Sequence, residues 1–324
     1  MVTKVHRRTV RIAVLAALGC ALLAGGSACL WELRSLAAYS DDGNRAEGSY
    51  VQDPVLADRA ASAALDGAVH EGAVPEEAAR EGAAPAAPAA PGATDGAPWR
   101  PSEPLVARPA PAEPAVGALF SPGDDGDPDH HCSASVVHSP AGDLIATAAH
   151  CVYRRGLGFR TNLAFAPGYR DGTAPYGIWV PTRIDVHPRW SEDQDPDLDV
   201  AFLRLRRPGH PGERLEDTTG AQTIRFGTGL PAPARVVGYP NTTEYPVDCS
   251  NTARAAGPAQ LRLDCADVPD GTSGGPVLTG GHTLIGVIGG RDGGGDDRTS
   301  YSSRFGEAVR EVYERAAAGP PTTG

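Results

Sequence analysis

Lysine is almost missing from these 324 residues: Lys4 stands alone against many arginines, a bias of coding rather than of physics. Positive charge in general is short. The 29 Lys and Arg face 40 Asp and Glu, giving a formal net charge of −11. Phosphate binding needs clustered basic residues, so this balance argues against a nucleic-acid partner. Bulky apolar residues are missing from one long tract. From Trp31 to about Val116, and above all from Ala83 to Pro114, the chain is Ala, Pro, Gly and acidic residues. So little apolar bulk cannot offset the entropy of ordering, and the repeated prolines favour extended, semi-rigid chain. Metal-ligand spacing is missing too. His130, His131, His138, His187, His210 and His282 have no partners at such intervals and read as structural. The run Asp124–Asp129 lacks the glycine and distal glutamate of a calcium loop and reads as a solvated surface loop. No cofactor and no metal is expected.

What is present divides the chain. Length allows about two domains, but the first third does not look folded. Lys4, His6, Arg7, Arg8 and Arg11 form a basic start, and an apolar run follows from Ile12 to Leu30. Residues 1–30 therefore read as an export signal, with Gly26-Ser27-Ala28 as a cleavage site. The run also approaches the ~20 residues that span a bilayer, so a retained anchor stays open. Residues 31–116 are expected to be a disordered Ala/Pro/acidic stalk, with one short amphipathic helix around Val55 to Val69. A stalk is preferred to an inhibitory propeptide, which usually needs a packed core. The folded head is placed at 117–318 and a tail at 319–324. Export puts the head outside the cell, secreted or tethered to membrane or wall.

The head is organised around Asp270-Gly271-Thr272-Ser273-Gly274-Gly275-Pro276. A serine between glycines can sit in a tight turn whose backbone N–H groups are free to meet an oxyanion. Alone, such a stretch is as compatible with an ordinary turn. Upstream, however, Thr147-Ala148-Ala149-His150-Cys151 offers a base, and Asp199-Val200-Ala201-Phe202-Leu203 offers an acid opening a strand-like run. With Val186-His187-Pro188-Arg189-Trp190, these boxes stand in one order. The sequence resembles the trypsin/chymotrypsin superfamily of serine peptidases, and its Gly-Thr-Ser-Gly-Gly-Pro box looks like the bacterial branch.

Short apolar runs separated by turn signals indicate an all-β sandwich or barrel. The resemblance implies two six-stranded antiparallel β-barrels, followed by a helix with Phe305, Val309, Val312 and Ala316 on one face. It implies a site in the cleft between the barrels. Ser273 would be the nucleophile, His150 the general base and Asp199 its orienting acid. Asp195 and Asp197 are nearby rivals for the acid. The N–H groups of Gly271 and Ser273 would form the oxyanion hole. The substrate would be a protein or peptide; oligomeric state is invisible. The four cysteines of the head read as two disulfides in an exported domain. Resemblance pairs Cys132 with Cys151 and leaves Cys249 with Cys265.

Asp267, six residues before Ser273, stands where trypsin-like members attract Arg or Lys, and Gly289 is a candidate substrate-binding residue on the opposite wall. Arg291 could neutralise Asp267. Thr272 replaces the aspartate that many members pair with a new N-terminus, so a head that folds directly into active form is expected. A catalytically silent binding module and an esterase using the same triad are the rival functions.

Overall fold

The computed structural model describes residues 38–67, 70–71, 99–121 and 130–318. The segment 1–30, the Asp124–Asp129 run and the tail 319–324 lie outside the described residues. Among the described residues no helix is long and apolar enough to cross a membrane.

Two curled antiparallel sheets carry the head. The first runs in the order Ala164–Pro167, Val116–Phe120, His130–Val137, Leu144–Thr147, Ala201–Arg206, Val180–Val186. Its ends meet where Phe165 and Trp179 exchange backbone hydrogen bonds of 2.7 and 2.9 Å. Six strands thereby enclose a core that includes Leu119, Val136, Ile145, Trp179, Ile184 and Leu203. The second sheet runs Thr283–Val287, Pro276–Thr279, Ala232–Gly238, Val247–Ala255, Gln260–Asp264, Thr299–Ser303. It curls back where Gly289 N–H donates to Tyr301 C=O at 3.0 Å. Val236, Leu261, Leu263, Val277 and Ile285 fill it. Strands buried on both faces read as continuous apolar runs rather than alternations, as in Leu144–Thr147 and Thr283–Val287.

The helix Glu307–Ala317 cements the halves. Phe305, Val309, Val312 and Ala316 are buried against Val137, Leu144 and Phe202 of the first half and Leu278, Leu284 and Val287 of the second. Near its end, Arg315 donates to the buried Asp185 carboxylate at 2.9 Å and to Val186 C=O at 2.8 Å.

The stretch 31–116, expected to be a disordered stalk, is folded onto the head wherever it is described. Tyr39–Ser40 pairs with Gly158–Arg160, and Ser49–Val51 adds a seventh strand to the first sheet beside Val180–Val186. The expected helix is present as Pro54–Gly67. Asp53 caps it, its Oδ1 accepting from Val55 N–H at 2.8 Å and Leu56 N–H at 3.2 Å, with Pro54 entering the first turn. Ala57, Ala61 and Ala64 pack on Val116, Ala118, Phe120 and Ala164. On the other half, Arg108–Pro109 pairs with Val247–Asp248. The physical reason is that these short strands need only backbone partners, and alanines suffice where the facing strands also carry small residues. The folded head therefore draws on chain well before residue 117.

Candidate active site

His150 lies in a short 3-10 turn, Ala149–Cys151, directly after the strand Leu144–Thr147. Its Nδ1 is 2.7 Å from Asp199 Oδ2, and its backbone N–H donates to Asp199 Oδ1 at 2.8 Å. Asp199 is 1% exposed, and Gly290 N–H donates to its Oδ2 at 2.8 Å. Asp199 N–H donates in turn to Ser303 Oγ at 3.1 Å. The rival carboxylates are otherwise engaged. Asp195 caps the turn Pro196–Leu198 and pairs with Arg189, while Asp197 accepts from Gln260. Only Asp199 reaches the imidazole.

Burial disfavours the charged imidazole, but the Asp199 carboxylate, by its charge and its hydrogen bond, outweighs that penalty. The net effect raises the basicity of His150 above that of a free histidine. The ring keeps 29% of its side-chain surface in solvent, so it stands at a mouth rather than in the core.

Ser273 stands in the turn between the strands Gln260–Asp264 and Pro276–Thr279, half-buried rather than sealed. Gly274 beside it has φ +81°, and a Cβ there would collide with Thr147 Oγ1 and Ser133 O and lie 2.9 Å from Ala148 N. Glycine at 274 thus lets the serine turn close against the segment that carries His150. The turn's hydrogen bonds are almost fully committed. The carbonyls of Asp270, Gly271, Thr272 and Ser273 accept from Asn241 N–H, Ser133 Oγ, Gly275 N–H and Ser133 N–H respectively. The amides of Thr272, Gly274 and Gly275 donate to Pro269, Ile288 and Thr272. Within residues 271–275, the N–H groups of Gly271 and Ser273 alone have no partner. Thr272 is 2% exposed and its hydroxyl donates to Pro269 C=O at 2.7 Å, so local turn bonds hold the residue before the serine without any ion pair.

Two disulfides, Cys132–Cys151 and Cys249–Cys265, close loops of 19 and 16 residues. The first ties the residue after His150 to the strand behind the serine turn. The specificity candidates are placed less centrally. Gly289 lies against the acid, where a Cβ would come 2.9 Å from Asp199 Oδ2 and 3.2 Å from Ala148 Cβ. Asp267 is exposed, in a left-handed conformation with φ +57°, and its N–H donates to Asp297 C=O at 3.1 Å. Arg291 lies over the Tyr301 ring, 5.7 Å from its centroid, and makes no ion pair with Asp267.

Sequence reading missed Ser133, Gly290 and Ser303. Gly290 acts through its amide, which no residue-type pattern reveals. The two serines sit inside buried strands among ordinary neighbours.

Residues 132–287 match the family model of a trypsin-like peptidase domain. The extracellular metalloprotease of Bacillus subtilis is 28% identical over 98 residues, a match spanning 30% of this chain and 30% of that relative. The thermostable serine protease AL20 from an extremophilic microorganism is 25% identical, covering 64% of this chain and 99% of that one with a TM-score of 0.57. The protease Anisep from Arthrobacter nicotinovorans shares the fold at 24% identity and a TM-score of 0.58, over 66% of this chain and 100% of that one. A Glu endopeptidase shares it at 17% identity and a TM-score of 0.54, over 66% of this chain and 100% of that one. With two curled β halves, a serine turn against a histidine loop and this match, residues 132–287 form a trypsin-like peptidase domain, and the chain shares the fold of these bacterial serine proteases.

Proposed function

We propose that the protein is an exported serine endopeptidase working through His150, Asp199 and Ser273. Ser273 Oγ attacks the peptide carbonyl carbon while His150 Nε2 takes its proton. The carbonyl electron pair moves onto oxygen, where the free N–H groups of Gly271 and Ser273 receive it. As the intermediate collapses, the imidazolium returns its proton to the leaving amine and an acyl-Ser273 ester remains. Water then enters, deprotonated by His150, and the ester is cleaved by the same steps. Asp199 fixes the proton on Nδ1, leaving Nε2 to serve as base.

The carrying observation is the pair of unpartnered amides flanking Thr272, while the amides of Thr272, Gly274 and Gly275 around them are bonded. A silent binding module has no need of that pattern. An esterase would share it, and the trypsin-like resemblance favours peptides. The metal-dependent reading suggested by the name of the Bacillus subtilis relative finds no fitting donor set among the described residues. In the one candidate cluster among those residues, Cys132, His150 and Cys151, both sulfurs are in a disulfide and His150 Nδ1 is bonded to Asp199.

Export is supported by the two disulfides, which persist in oxidising compartments, and by the basic and apolar start of the chain. That segment would either be removed or hold the head at the outer face of the membrane. Asp267 would favour Arg or Lys at the residue before the cut, with Arg291 turned aside onto Tyr301. Purified protein should cleave casein and show a burst of acylation on an activated ester, both lost in Ser273→Ala. Ester turnover with casein left intact would favour the esterase, and neither activity would leave the silent module. A peptide library preferring Phe or Leu at that position would remove the role of Asp267.

A further inference from the structure

Ser133 is the most heavily used residue around the serine turn, although it belongs to the opposite half of the head. It lies in the strand His130–Val137 and is 0% exposed. Its N–H donates to Ser273 C=O at 2.7 Å, and its carbonyl accepts from Thr147 Oγ1 at 2.8 Å. Its hydroxyl donates to Gly271 C=O at 3.0 Å and accepts from Tyr239 N–H at 2.7 Å. One side chain thus joins the serine turn to the loop that starts at Tyr239. That loop returns the grip, since Asn241 N–H donates to Asp270 C=O at 2.9 Å.

This matters because Gly271 has φ +94° and no Cβ to restrain its flanking peptides. The Asp270–Gly271 peptide, which carries one free N–H, is pinned by Asn241. The Gly271–Thr272 peptide is pinned at its oxygen by the Ser133 hydroxyl. The carbonyl of Ser273 is pinned by the Ser133 amide. Without the hydroxyl, the Gly271–Thr272 peptide keeps only the bond from Thr272 N–H to Pro269 C=O at 3.2 Å, and the neighbouring Gly271 amide is held less firmly on target. We infer that Ser133 is a positioning residue that presets the two backbone donors, acting through Gly271 and the Tyr239 loop rather than by touching substrate. The inference rests on the reading of Ser273 as nucleophile and adds to it a residue that shapes only the transition-state contact.

The test compares wild type, Ser133→Ala and Ser133→Thr, each normalised to sites titrated by a fluorophosphonate, so that misfolded protein is not counted. Removing an oxyanion donor outright costs on the order of 10²–10³ in kcat. Loosening the donors should lower kcat per titrated site by about tenfold or more in Ser133→Ala, with KM changed less than about threefold. Affinity for a peptide boronate should fall in parallel, while affinity for the product peptide acid holds. Ser133→Thr, which keeps the hydroxyl, should restore kcat. If alanine leaves too few sites to titrate, Ser133→Gly removes the same hydroxyl and carries the same expectation. A wild-type kcat per site in the hydroxyl-free variant, or equal losses for boronate and product, would overturn the inference. Wild-type protein that fluorophosphonate does not label would instead bring down the nucleophile reading, and this inference with it.

Discussion

His131 and His150 sit 19 positions apart and titrate in opposite directions. Around His150 the Asp199 carboxylate wins over burial, so the imidazole gains basicity. His131 is pushed down to about 3 by burial first and by the Arg160 guanidinium second. Each shift has a consequence. A base must be neutral to accept the serine proton, so the acid limb of kcat/KM is expected above pH ~6.5, the value of a free histidine. In Asp199→Asn the limb should move down and kcat should fall by about 10⁴, because the wrong tautomer is then favoured. A limb unmoved by that change would contradict the assignment of the acid.

For His131 the effect is on stability. The unfolded imidazole takes up a proton near pH 6.5 and the folded one stays neutral until about 3, so the unfolded state binds more protons between these values. Stability is full above pH ~6.5 and falls as the pH drops, by up to about 1.4 kcal/mol per unit. His150 does not oppose this below pH ~6.5, since its raised folded value keeps its own contribution fully present there and loses it only as the pH rises through that value. Urea midpoints measured from pH 7 to 5 should show the slope, and His131→Gln should reduce it, leaving the part supplied by His187, which burial and Arg189 also lower.

At the scale of elements, what the sequence made legible depended on how each element is specified. The serine and histidine loops and the acid's strand are runs of consecutive residue types, so they could be read directly. The strands of both halves are apolar runs between turn signals, and Phe305, Val309, Val312 and Ala316 mark a helix face by spacing. The strand Ser49–Val51 and the pair Arg108–Pro109 are two or three residues long and pair only through backbone, so composition hid them. The helix Pro54–Gly67 was visible, but its docking was not. Its buried face is Ala57, Ala61 and Ala64, too small to signal a core, and works only because Ala118, Ala164 and Ala166 face it. That packing makes a prediction. Ala64 is 0% exposed, so Ala64→Leu should overpack the seam and cost about 1–3 kcal/mol. Chemical denaturation checks this, and a neutral result would mean that the helix is not held there.

The whole molecule is a two-part head strapped from outside. The helix Glu307–Ala317 joins the halves at one side, and the chain before residue 117 reaches both. Tyr39–Ser40, Ser49–Val51 and the helix Pro54–Gly67 lie on the first, and Arg108–Pro109 on the second. The bond Cys249–Cys265 closes a loop of 16 residues in the second half, so Cys249→Ala with Cys265→Ala should cost about 2–4 kcal/mol in urea unfolding. Catalysis requires that the two halves bring His150 and Ser273 to one accessible mouth. The most direct measurement is covalent labelling of the folded protein with a fluorophosphonate, followed by peptide mapping. The modification should fall on Ser273 alone, vanish in Ser273→Ala and slow severely in His150→Ala. A folded protein that takes up no label at Ser273, or takes it up equally fast without His150, would contradict the account.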